Sequence, residues 1–341
     1  MLQGAVALPV ADDGHGFRVL LTNTSCYPWA VGYSRIVRFF GAWALAVGTF
    51  VAAGESTAEP APPATAPATS DPKASDARDA PAVPARPSPI DGLGRNAAES
   101  FWGWNLALHL TAIGQTALMS RLDVDYEVRQ AFHHHTVWGQ AAYPAVILGV
   151  AGPVGVISGL FAKGYWGKND ETLGAAYAVL QANALTLGYV TVLKLITGRP
   201  PPKDELVGPV APDMRSLSHT FRFGVGRGGI VHGWPSGHVA VTMATCSSLA
   251  AYYPDSWALK LAGAASVAAM MFGVISFRGG SMHWFSEAIA GALMAYPIGV
   301  ATGEGFRRTQ QGRAPARAHT AWVVLPSFSP DATVITAARR F

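Results

Sequence analysis

The sequence predicts an all-α fold, an antiparallel bundle of about six helices, and three observations carry that expectation. Half of the 341 residues are hydrophobic and only 13% are charged. The apolar residues gather in runs rich in Ala, Leu, Val and Gly: roughly Trp102–Met119, Ala141–Ala162, Leu173–Ile196, Val239–Tyr253, Trp257–Ser276 and Trp284–Ala301. None of these runs alternates with period two, as a half-buried strand does, and each is long enough for a helix.

Taken in chain order, Arg35 and Arg38 give a basic start, Phe39–Ala53 an apolar stretch, and Ser56-Thr57-Ala58 a small-residue end. Residues 1–58 therefore read as an N-terminal extension with an export signal, the apolar stretch being short for a spanning helix. An uncleaved membrane anchor is the alternative. Residues 59–95 are dominated by Pro and Ala. They bury too little apolar surface to offset ordering entropy and read as a disordered linker. The helical domain is expected over residues 96–308. Runs of about 20 apolar residues are long enough to cross a bilayer. Ala141–Ala162 is the best candidate, Val239–Tyr253 is short, and Trp102–Met119 is weakest because it carries Asn105, His109 and Gln115. The amphipathic stretch Arg121–Thr136 is expected on the surface. In the tail, residues 309–341, β-prone Ala321–Leu325 and Thr333–Thr336 flank Ser329-Pro330-Asp331, a pattern for a small β-hairpin.

Composition excludes several functions. The net charge is +4 and the isoelectric point about 9.1, yet no Lys/Arg block forms a nucleic-acid arm, so no nucleic-acid partner is expected. Cys26 and Cys246 lie far apart and offer neither a disulfide framework nor a zinc pattern; Cys246 reads as a buried, inert thiol. Consecutive imidazoles at His133-His134-His135 point in different directions on a helix and chelate one ion poorly. The glycines of Gly224-x-Gly226-x-Gly228-Gly229 lack the strand and helix of a dinucleotide motif and read as a loop.

The chemistry sits at the ends of the apolar runs. Lys194 and Arg199 close the third, Pro235-Ser236-Gly237-His238 opens the fourth, Ser276 and Arg278 close the fifth, and His283 and Glu287 open the sixth. In an antiparallel arrangement these four ends share one face. A dianionic phosphate needs cations and N–H donors, which Lys194, Arg199, Arg278 and the Ser236/Gly237 turn at a helix N-terminus supply. An imidazole can attack phosphorus when a carboxylate holds its tautomer, and His283 and Glu287 stand four apart on one helical face. A second imidazole, His238, can protonate the leaving oxygen. No metal or other cofactor is needed. The bland reading makes each histidine a structural residue and Lys194 and Arg199 interfacial anchors.

These residues resemble the type 2 phosphatidic acid phosphatase/vanadium haloperoxidase superfamily, whose motifs run Lys-x6-Arg-Pro, Pro-Ser-Gly-His and Ser-Arg-x5-His-x3-Asp. The second is intact at Pro235–His238. In the third, Ser276 and His283 match, Glu287 stands at the Asp, and the arginine falls on Phe277 with Arg278 one place later. In the first, Lys194 and Pro202 match and the arginine falls on Pro201, while Arg199 takes the place of an extra arginine of some members. The resemblance spans about Asn96 to Arg308. It implies His283 as the nucleophile forming a phosphohistidine, His238 as general acid and Glu287 orienting His283. Lys194, Ser236, Gly237 and an arginine, Arg199 or Arg278, would bind phosphate.

The expected function is a phosphomonoesterase acting on lipid, isoprenoid or other phosphate esters, with a membrane and no protein as partner. The alternatives are an impaired relative that binds phosphorylated lipid, or a vanadate-dependent haloperoxidase. Lys163, Lys168, Arg307, Arg308, Arg313 and Arg317 fall at the end opposite the site. That bias favours an inner-membrane protein with a periplasm-facing site; a soluble periplasmic form is the other option.

Overall fold

The computed structural model describes residues 86–133, 136–203, 213–225, 233–277, 282–312, 322–328 and 333–339. The segment expected to be an export signal, the expected linker as far as residue 85, His134, His135, Arg278 and Ser329-Pro330-Asp331 lie outside the described residues. Nine helices are described: α1 (Leu93–Ser100), α2 (Trp104–Arg121), α3 (Val124–His133), α4 (Thr136–Trp166), α5 (Asp170–Thr197), α6 (Met214–Ser218), α7 (Gly237–Tyr252), α8 (Trp257–Ser276) and α9 (Phe285–Gln310). The architecture is all-α, as the apolar runs predict, and the six long helices coincide with those runs. Two strands, β1 (Trp322–Phe328) and β2 (Thr333–Arg339), pair antiparallel with Leu325 opposite Thr336.

Local chemistry fixes the helix ends that matter. Asn169 caps α5 by accepting from Thr172 N at 2.8 Å, and Asp170 and Glu171 in its first turn complement the dipole. At the other end Gly198 adopts φ +43° and donates to Lys194 O, turning the chain sharply where a Cβ would strike Arg222 O. Ser236 caps α7 and Ser256 caps α8.

At the centre, α5, α7 and α9 meet through small residues, Ala182, Val190, Ala240, Ala244 and Ala295. On α9, Gly291, Gly299 and Gly303 face the α7 backbone; a Cβ at Gly291 would stand 2.5 Å from Ser236 O, and the other two would collide with Ser247 and Ser248. Their bare backbone lets the two helices touch. Around this core α2, α4 and α8 turn apolar side chains outward, among them Leu110, Ile113, Leu148, Val154 and Leu261. Among the described residues four helices are long and apolar enough to cross a membrane: Ala142–Trp166, Asp170–Thr197, Trp257–Ser276 and Phe285–Gln310. The central α7 is not among them; its 16 residues reach only about 24 Å.

Candidate active site

The starts of α7 and α9 are joined by backbone bonds before any side chain is considered. Ser236 N donates to Glu287 O at 3.0 Å, and His283 N donates to Val274 O at 3.2 Å, tying the loop before α9 to the end of α8. The preceding Trp234–Pro235 peptide is cis, and Trp234 is fixed by its indole N–H donating to Thr116 Oγ1 at 2.8 Å.

On this frame the rings of His238 and His283 meet edge to face, centroids 5.7 Å apart and planes 63° apart. His283 Nδ1 and Glu287 Oε2 are 2.7 Å apart. A carboxylate only accepts, so Nδ1 carries the proton and Nε2 keeps its lone pair. His283 is 4% exposed and Glu287 1%, so their bond is shielded from water. His238 is half-buried. Burial first, then the neighbouring His283 and Lys194, pushes its imidazole down to about 4.

The structure brings Lys194, Ser236 and Gly237 to the same end. Lys194 is buried and its Nζ donates to Gly233 O at 3.1 Å. Its Cε lies 3.7 Å from where a Gly237 Cβ would stand, so the ammonium sits beside the first turn of α7. Ser236 Oγ faces Val239 N at 3.5 Å, a long cap. Arg199 stands on the far side of Glu287 from His283. Its Nη1 is 3.5 Å from Glu287 Oε1 and 2.9 Å from Ser286 Oγ, to which it donates. Arg278 lies outside the described residues, and its neighbour Phe277 packs on Tyr143 at 4.7 Å. Among the described residues no group of three His, Cys, Asp or Glu side chains could hold a metal ion.

Sequence reading missed Asp125. The stretch Arg121–Thr136, expected on the surface, instead buries Asp125, Val128 and Arg129. The reason is electrostatic: Asp125 Oδ2 accepts from Arg199 Nη2 at 2.7 Å and from Ser286 Oγ at 2.6 Å. Its Oδ1 accepts from Ser286 N at 2.7 Å. Trp284, the N-cap residue of α9, makes no side-chain cap bond, so Asp125 caps that helix from α3. Arg129 Nε donates to Pro202 O at 3.2 Å. The i, i+4 pair Asp125/Arg129 was the available signal, but nothing in it names Arg199 as a partner.

The helical bundle sets two histidines and a lysine at one end. Residues 173–308, from α5 to the end of α9, match the family model of the PAP2 superfamily. No curated protein and no solved structure matches the chain.

Proposed function

We propose that this protein is a membrane-embedded phosphomonoesterase of lipid or isoprenoid phosphates working through a phosphohistidine. The observation that carries the reading is the His238/His283 pair, 5.7 Å between centroids, with His283 Nδ1 bound to Glu287. His283 Nε2 attacks phosphorus as the ester P–O bond breaks, and His238 gives its proton to the departing alkoxide. Glu287 stabilises the cationic ring that forms. Water then attacks the phosphohistidine, His238 takes its proton, and inorganic phosphate leaves. Lys194 and the N–H groups at the start of α7, with Ser236 and Gly237, neutralise the equatorial oxygens; Arg278 is the remaining candidate from the motif.

The outward apolar side chains of α2, α4 and α8 support a bilayer setting and a substrate with a hydrocarbon portion. Lys163 and Arg307 at the far end support a site on the outer, exported face. The test is His283→Ala: release of phosphate from phosphatidic acid and from an aryl phosphate is expected to fall by about 10⁴-fold or more. Unchanged turnover rejects the reading.

A second reading, a relative that binds phosphorylated lipid without cleaving it, is favoured by one observation. Phe277 occupies the motif's arginine position and packs against Tyr143, the two rings tilted to each other. No release from a broad ester panel, together with a phosphate-dependent rise in melting temperature, selects that alternative.

A further inference from the structure

Arg199 joins the two buried carboxylates of the site, and its surroundings point to a task other than holding substrate. The side chain is fully buried. Its Nη2 bonds Asp125 Oδ2 at 2.7 Å and also donates to Ser218 O; its Nη1 bonds Ser286 Oγ and faces Glu287 Oε1. Phe221 and Trp284 lie against the guanidinium, with their ring centroids 4.8 and 5.3 Å from Cζ. Among the described residues only Nε lacks a hydrogen-bond partner, and it is buried away from solvent. A planar cation so enclosed, with both Nη groups committed, has little left to offer a phosphate oxygen.

We propose that Arg199 is a positioning residue for the nucleophile rather than a phosphate ligand: through Glu287 it sets the His283 ring, and Asp125 anchors both Arg199 and the first turn of α9. The proposal rests on the phosphohistidine reading above. A carboxylate as dry as Glu287 needs a compensating charge. The extra methylene of Glu over Asp lets the carboxylate fold back between two partners, giving one oxygen to Nδ1 and the other to the guanidinium. The early arginine and the long acid thus form a matched pair. The charged groups facing Glu287 are His283 from the preceding loop, Arg199 and Lys194 from the end of α5, Asp125 behind Arg199, and His238 beyond His283.

The experiment uses the purified full chain in detergent and two readouts: turnover of an aryl phosphate, and affinity for inorganic phosphate by calorimetry. Arg199→Gln is expected to lower kcat about 100-fold while phosphate affinity stays within about threefold. The double variant Arg199→Gln/Glu287→Gln is expected to be no slower than Glu287→Gln alone by more than about threefold, because both act through one ring. Arg199→Lys, which keeps a cation, is expected to recover about tenfold, and the acid limb of the kcat–pH profile is expected to move upward by about one unit in Arg199→Gln. A loss of phosphate affinity beyond about thirtyfold in Arg199→Gln, or effects that multiply in the double variant, overturns the proposal. Should Arg199→Gln fail to fold, Asp125→Asn reads the same chain, with kcat down about tenfold and phosphate affinity intact; lost affinity overturns it equally. A wild-type chain that binds phosphate but cleaves no ester sinks the phosphatase reading alone, and the affinity of Arg199→Gln still decides the role of Arg199. Absence of phosphate binding by the wild type overturns both.

Discussion

On one side of the reactive gap His283 is backed by Glu287, Arg199 and Asp125 in succession, every one of them almost free of solvent. On the other side His238 is half-buried at the α7 N-terminus, and among the described residues its ring makes no hydrogen bond. The difference matches what the proposed mechanism asks of each imidazole. A nucleophile must hold one tautomer and one angle throughout, which favours a rigid, dry support. An acid that later serves as base must change protonation twice per turnover, which favours a ring whose charge is decided by what lies in front of it.

Variants on the two sides are therefore expected to fail differently. After His283 itself, the largest effect belongs to Glu287→Gln, which removes the acceptor for Nδ1–H; kcat is expected to fall by roughly 10²–10⁴-fold with KM little changed, measured by steady-state phosphate release. His238→Asn is expected to cost roughly 10²–10³-fold in kcat/KM, which reports formation of the phosphohistidine, on an alkyl phosphate and less than about tenfold in kcat/KM on a nitrophenyl phosphate, whose leaving oxygen needs no proton. Equal losses on both substrates would remove His238 from the acid role.

The same side carries the pH signature. The depression of His238 to about 4 leaves its ring neutral at pH 7 when no anion lies beside it. A dianion beside the ring favours its charged form, so binding of inorganic phosphate at about pH 8, where the free ion is already the dianion, is expected to take up a proton, seen as a buffer-dependent calorimetric enthalpy. His238→Asn is expected to abolish that dependence. Lys194→Gln is expected to weaken phosphate binding about 10- to 100-fold with a smaller change in kcat, the reverse of the Glu287 pattern.

The smallest effect lies at the rim. Asp123 is held down to about 2, first by its bond to Arg215 and then by His219, and so links the α2–α3 turn to α6. A folded value below the ordinary 3.8 means this latch contributes above about pH 4 and is lost as pH falls toward 2. It is an exposed pair, so Asp123→Asn is expected to lower the melting temperature by only about 1–3 °C at pH 7, and by nothing near pH 2.

The frame was legible in the sequence because long apolar runs without period-two alternation have few solutions. The antiparallel placement of helix ends was enough to bring Lys194, Ser236, His238, His283 and Glu287 to one face. What escaped were contacts without a period. Asp125 lies 74 residues from Arg199 and 161 from Ser286, and an amphipathic helix with a charged stripe looks surface-bound until its buried partner is known. Arg199 was legible as a cation at a helix end, but its enclosure by Phe221, Trp284 and two carboxylates depends on loops whose course no local pattern dictates. Gly198 and the α9 glycines carried a positional hint, since nothing else in their runs explains so bare a stripe.

That stripe has a mechanical consequence. Gly291 lies about two turns beyond His283 and has no chemistry of its own, yet its missing side chain decides how near α7 is allowed to come. A single methyl group there would act as a shim, prising Ser236 and His238 away from their counterparts. Since an ångström of misplacement can forfeit about a hundredfold in rate, the spacing of the two reacting rings is governed by an atom the chain leaves out.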